Sequence, residues 1–313
     1  MQTRPPSGPS RTPPAQRRDG SRAAQREREQ AAARQRRLVL IAGGVILAVV
    51  AALVVIKLAT TGNGTTASAN QPAPPDVVAA VAGVDPATFE QVGRGSVTNL
   101  LTPVRGTLER GPDGKPRVTY IGAEYCPFCA GERWALVAAL SRFGTFSDLQ
   151  LSHSASEDVY PNTPTFSFVG SSYSSPYVDF SPVELQSNVR SGNGYQTLQT
   201  PTTEQRNVLQ TYDVPPYVPA QSAGAIPFID IGGQYALSGA SYDISALRGM
   251  SAEQIAAALS DPSSQAAKGI LGSANVLTAA ICSATDNQPA DVCASPTIQM
   301  LQSQMAAAPV PSK

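Results

Sequence analysis

The chain has 313 residues, room for one ordinary domain plus extra segments. Charged residues make up only 15% and the formal net charge is +0, yet that balance conceals two unlike parts. Residues 1–37 carry ten Arg against Asp19, Glu27 and Glu29, a net +7, whereas from Leu58 onward twelve cations face twenty acids, a net −8. The first part is rich in Arg, Pro, Gln, Ser and Ala, cannot bury a core, and is expected to be disordered.

Leu38 to Ile56 is about 19 residues without a charge or Pro. At about 1.5 Å per residue such a helix spans roughly 28 Å, close to a hydrocarbon core. The Arg cluster precedes it and only Lys57 borders its other end. This predicts a transmembrane helix over 38–58 with a cytoplasmic tail, 1–37, and everything after it outside the cell membrane. A nucleic-acid arm would also be basic, but a membrane-flanking tail accounts for the charge better. A cleavable signal peptide is the alternative, with Ala67-Ser68-Ala69 as its cleavage site. Against it, the apolar run exceeds a usual signal core and its basic lead is long. Residues 59–75, rich in Gly, Pro and Thr, read as a flexible linker.

The domain itself is expected over 76–305, with a frayed end at 306–313. Short helices are expected at Asp76–Val81 and Pro86–Val92, a first strand at Asn99–Leu108, and a turn at Gly111-Pro112-Asp113-Gly114. A second strand, Pro116 to Gly122, leads to Glu124-Tyr125-Cys126-Pro127-Phe128-Cys129 and then a helical run through Leu140. A third strand is read at Asp148–His153. Residues 155–220 form an inserted segment, Pro-, Ser-, Tyr- and Gly-rich. Within it, Thr165–Val169 and Pro176–Phe180 look like a hairpin around Gly170–Ser175, and Thr202–Tyr212 like a helix. Ile226 to Ile231 is a strand with Pro227 at its mouth, and Gly232-Gly233 reads as a two-residue turn into Gln234–Leu237. Helices at Ser251–Leu259 and Ser264–Ser283 close the domain.

Chemistry concentrates in the four cysteines. Cys126 and Cys129 sit where a strand gives way to a helix. Free N–H groups and the positive end of the helix dipole favour an anion there, so a thiolate at Cys126 is stabilised. Cys129, one turn on, is placed to resolve a mixed disulfide, and Pro127 suits the first helical turn. Three readings of this C-x-x-C stay open: a redox dithiol, a structural disulfide in a binding module, and a four-Cys zinc site. The zinc reading suffers because Cys282 and Cys293 are spaced too widely for a second knuckle. Haem attachment fails because Ala130, not His, follows Cys129. The wide pair reads as a structural disulfide. His153, the single histidine, reads as a strand-end residue rather than a catalytic partner, and Trp134 as a packing residue. Asp230 has two open readings, a buried acid near the sulfurs and an exposed edge residue.

The order strand, C-x-x-C helix, strand, inserted segment, Pro-headed strand, Gly-Gly hairpin, helix resembles the thioredoxin fold, an α/β architecture. The C-P-x-C form resembles the DsbA-like and glutaredoxin branches. The whole ectodomain most resembles the DUF929 family, uncharacterised membrane-anchored proteins of actinobacteria and archaea, through residues 120–135, 165–185 and 225–237. The resemblance implies a thiol–disulfide oxidoreductase acting on exported proteins, with a membrane redox partner and no bound cofactor. It makes Ile226-Pro227 the cis-proline pair facing the cysteines, and Ile226, Pro227, Tyr125 and Phe128 the substrate-binding residues. Two departures stand out. Tyr120 occupies the place of the buried acid that moves the proton in thioredoxins, leaving that task to Asp230 or Glu124. The 155–220 segment replaces a compact crossover. A non-enzymatic envelope-binding module with a closed disulfide is the competing reading.

Overall fold

The computed structural model describes residues 70–311, all within one compact unit, Ala67–Lys313. The expected tail and membrane helix, the linker up to residue 69, and residues 312–313 lie outside the described residues.

The first described elements already contact the centre. β1 (Gln71–Pro72), placed in the linker by the sequence, pairs with Leu151 and Gln150. α1 (Pro75–Ala82) and α2 (Pro86–Val92) each open on a proline, and Asp85 caps the second by accepting from Ala87 N at 2.8 Å. They bury Val77, Val81, Phe89 and Val92. The expected first strand shrinks to β2 (Thr102–Pro103). Pro103 has no N–H to donate, and Arg105 takes a positive φ of 46°, which breaks the extended run.

β3 (Arg117–Gly122) is buried along almost its whole length and runs straight into α3 (Pro127–Leu140), whose every residue but Phe128 is buried. Apart from Glu132 and Arg133, which are buried with hydrogen-bond partners, its side chains are apolar on every face, as befits a helix inside a domain. Beyond it come β4 (Thr145–Ser147), β5 (Gln150–His153), β6 (Pro164–Ser167), β7 (Ser172–Ser174) and β8 (Asp179–Glu184). The expected 165–180 hairpin does not form. β6 pairs with β5, β7 with β4, and β8 runs parallel to β3 from Arg117↔Asp179 to Gly122↔Glu184. The expected third strand, now β5, joins a side sheet of order β1-β5-β6 instead of the central one. The strand following α3 in the central sheet therefore lies inside the 155–220 segment. It carries Pro182, which an edge strand tolerates.

β9 (Gln186–Ser191) and β10 (Gly194–Thr197) form a separate hairpin. α4 (Thr203–Tyr212) starts with a capping box between Thr202 and Gln205. β11 (Phe228–Ile231) and β12 (Tyr235–Ser238) complete a five-stranded sheet of order β2-β12-β11-β3-β8, antiparallel except for β3/β8. Their turn has three residues, not two: Ile231 pairs with Tyr235, Gln234 N donates to Ile231 O, and Gly232 and Gly233 both take positive φ. Period-two alternation splits the sheet's faces. Val118, Tyr120, Ile229 and Ile231 join Trp134 and Leu136 in the large cluster, while Ile121, Phe228, Val183 and Ala236 pack with Val208 and Tyr212 of α4.

α5 (Ala252–Ala258) is capped by Ser251. α6 (Gln265–Ala284) is long and apolar enough by composition to cross a membrane, but 89% of its apolar window is buried against the domain. A Cβ at Gly272 would stand 2.4 Å from Arg94 O, so only glycine permits that approach. The helix expected to close the domain, Ser264–Ser283, is not the last: α7 (Ala290–Cys293) and α8 (Pro296–Ala307) follow, the latter capped by Ser295 and burying Ile298, Leu301 and Met305.

Candidate dithiol site

Cys126 is the N-cap of α3. Its sulfur accepts from Cys129 N at 3.2 Å, the bond that a serine or aspartate oxygen makes at an ordinary cap. Pro127 occupies the first turn, as expected. Across the site the Ile226–Pro227 bond is cis, and the Ile226 carbonyl oxygen lies 3.8 Å from Cys126 Sγ. The structure thus brings together Cys126, Cys129, Ile226 and Pro227 from elements about 100 residues apart. Both thiols are free. Cys126 is 5% exposed and Cys129 is fully buried.

The two sulfurs are electrostatically unequal. Hydrogen bonding from the Cys129 thiol holds Cys126 below the ordinary thiol value against the opposing effect of burial; the Cys129 N–H and the charge on Arg133 assist. Burial first, then the neighbouring Cys126, push Cys129 well above it. The anionic form is favoured at one sulfur and the thiol at the other.

Tyr125 and Phe128 flank this pair. The Tyr125 ring stacks on Tyr195 of the β9–β10 hairpin at 4.3 Å, and its phenol is pushed up to about 12, chiefly by burial. Phe128 is 39% exposed and meets Tyr160 edge-on at 6.0 Å. Val159, beside Tyr160, is more exposed still. The 155–220 segment therefore supplies walls to the site through Tyr160 and Tyr195.

Other candidates fall elsewhere. Cys282, in the last turn of α6, is bonded to Cys293 at the end of α7, Cα atoms 5.6 Å apart. Trp134 is buried and donates to Pro164 O at 2.8 Å, a packing role. His153 is exposed, its Nδ1 2.8 Å from Ser154 O, and the sulfur of Cys126 meets Cys129 and Ile226 instead. Asp230 is buried, but register places it with Thr119 and Ala236 on the α4 face, away from α3. It accepts from Gly233 N at 2.9 Å and burial raises it to about 8. It is not an acid beneath the sulfurs. Glu124 is fully buried two residues before Cys126 and accepts from Ser167 Oγ at 2.6 Å and from Asn70.

Tyr120 is buried under the site. Its hydroxyl lacks a hydrogen-bond partner among the described residues, and a Cβ on Gly122 would fall 2.0 Å from it. Two further neighbours were not singled out from sequence. Arg133 follows Cys129 by four residues, hence on the same helix face, and Glu184 ends β8. The i, i+4 spacing was a readable signal for the first; nothing local marks the second.

No solved structure and no curated protein matches the chain. A family model described as a domain of unknown function, DUF929, matches residues 107–283, a span reaching from just before β3 to Ser283 in the last turn of α6 and enclosing the whole dithiol site. The chain belongs to the DUF929 family.

Proposed function

We propose that the domain is thioredoxin-like and exchanges thiols and disulfides with exported proteins, held at the outer face of the cell membrane by residues 38–58. The carrying observation is Cys126 at the N-cap of α3 facing the cis Ile226–Pro227 bond, its Sγ 3.8 Å from Ile226 O. The strand order β8-β3-β11-β12, parallel only between β8 and β3, supports the fold reading.

In the reductive direction the Cys126 thiolate attacks one sulfur of a client disulfide, and the client's other sulfur leaves as a thiolate. Cys129 then loses its proton and attacks Cys126 Sγ. The mixed disulfide breaks, a second client thiolate leaves, and the Cys126–Cys129 disulfide remains. Two electrons have passed to the client, and the reverse sequence oxidises it. The backbone at Ile226 is placed to align an extended client segment, with Tyr125 and Phe128 bordering it. No bound cofactor takes part in this reading.

The test is a redox titration of the full-length chain in detergent, in glutathione buffers, with thiol trapping. Cys126/Cys129 is expected to titrate as one two-electron couple above about −300 mV, with Cys282/Cys293 oxidised throughout. The near-complete burial of both sulfurs favours a second reading, a closed envelope-binding module. A Cys126–Cys129 pair inert across the whole range would replace the enzyme reading with that one. Protease protection of the 1–37 tail in sealed right-side-out vesicles tests the topology.

A further inference from the structure

Beneath the dithiol lies a charged group that the exchange steps do not use. Arg133 and Glu184 have fully buried side chains. Arg133 Nε donates to Glu184 Oε1 at 2.7 Å and Nη2 to Oε2 at 2.8 Å, a two-point pair. The same Nη2 donates to Ala123 O at 2.6 Å, and Ala123 O also accepts from Cys126 N at 3.2 Å. One carbonyl thus links the guanidinium to the backbone of the nucleophile. Nη1 lies 3.4 Å from Thr165 Oγ1, whose hydroxyl donates to Ala130 O in the first turn of α3. The guanidinium carbon stands 5.9 Å from the Tyr120 ring centroid.

A buried ion pair is a poor means of stabilising a fold, because desolvation consumes the attraction and apolar residues of equal size often serve better. Its placement here makes sense through the sulfurs. Arg133 contributes a downward pull on both thiols, whereas Glu184, itself raised by burial, ends the strand beside β3 and accepts from the guanidinium with both carboxylate oxygens.

Building on the exchange reading above, we propose that Arg133 and Glu184 are opposed positioning residues that set the dithiol–disulfide equilibrium. The guanidinium favours the thiolate-bearing reduced form and holds the 123–126 turn. Glu184 restrains that charge.

The test equilibrates the full-length chain with glutathione, one glutathione disulfide plus the dithiol giving two glutathiones plus the protein disulfide. Arg133→Met is expected to move the constant toward the protein disulfide by about tenfold or more, the size of one pKa unit. Glu184→Gln is expected to move it the other way, and Arg133→Lys to keep most of the wild-type value. Loss of one partner of a buried pair endangers folding, so Arg133→Met/Glu184→Met, which leaves no uncompensated charge, carries the decision. Folded, it should shift in the direction of Arg133→Met, because the guanidinium is the member bonded to Ala123. Shifts of the same sign in the single variants, or a wild-type constant in the folded double variant, overturn the proposal and leave the exchange reading intact. A wild-type dithiol that never equilibrates with glutathione removes the exchange reading and this inference with it.

Discussion

The two cysteine pairs occupy opposite ends of helices. Cys126 begins α3, where N–H groups converge on its sulfur and the helix dipole is positive. Cys282 lies in the last turn of α6, where carbonyls gather and the dipole is negative, and it is tied to Cys293. All four are buried to 5% or less, so burial does not distinguish them. The end of the helix does: an anionic sulfur is favoured at the first site and disfavoured at the second. On the exchange reading proposed above, the same element would make one pair suited to exchange and the other to permanence.

That contrast can be broken most directly at Cys126. Cys126→Ser is expected to abolish mixed-disulfide formation with a model client peptide, a loss beyond about a thousandfold, while Cys282→Ser/Cys293→Ser keeps the initial rate within about twofold. Equal losses from both, in a stopped-flow thiol assay, would sink the contrast.

Stability should answer in the opposite order. Opening the wide disulfide, whose partners are 11 residues apart, is expected to cost about 2–3 kcal/mol by the loop-closure argument. For a domain of this size that lowers the melting temperature by roughly 5–10 °C. Reducing Cys126–Cys129 should move it by less, and calorimetry on the two forms decides.

Alkylation sharpens the inequality within the tight pair. Cys126 should react with its half-maximal rate below the ordinary thiol pH and Cys129 only well above it, following their opposite shifts. Cys129→Ala removes the leading hydrogen bond to Cys126, so the Cys126 alkylation profile should move toward higher pH. An unmoved profile would show that the helix terminus alone suffices.

The smallest effect on exchange is expected at Asp230. Its folded value is raised to about 8 from 3.8 by burial. The protonated folded form is therefore favoured at low pH, and stability from this group declines as pH rises from near 4 through 8. Asp230→Asn should melt like the wild type at pH 4 and a few degrees higher at pH 8.5, with the glutathione constant unchanged because Asp230 lies on the α4 face.

Much of this was readable beforehand where local chemistry decides. The β3 run and the proline in the first turn of α3 each name their own conformation, so the dithiol's place at a helix start was legible in the residues; its facing proline came only from the resemblance to the thioredoxin fold, and the Gly-Gly turn was read one residue short. Strand partnership was not. β5 and β8 are both short and of mixed polarity, and nothing inside either says which will lie along β3; that depends on the register of a sheet formed across more than 60 residues. Asp230 was misplaced for a related reason, since its face follows from β11's pairing. α8 was missed although Ser295-Pro296 is a helix-start signal. Arg133 was overlooked because a charged residue is ordinarily taken for a solvated one.

The phenol of Tyr120 fills the space that a side chain at 122 would need. Positions 120 and 122 are consequently a single choice written in two places. A sequence that placed a short acid at 120 would free room for alanine or serine at 122, and one that keeps tyrosine must keep glycine. Anyone grafting a carboxylate at 120 into this domain should therefore change both letters together, or leave a hollow under the sulfurs.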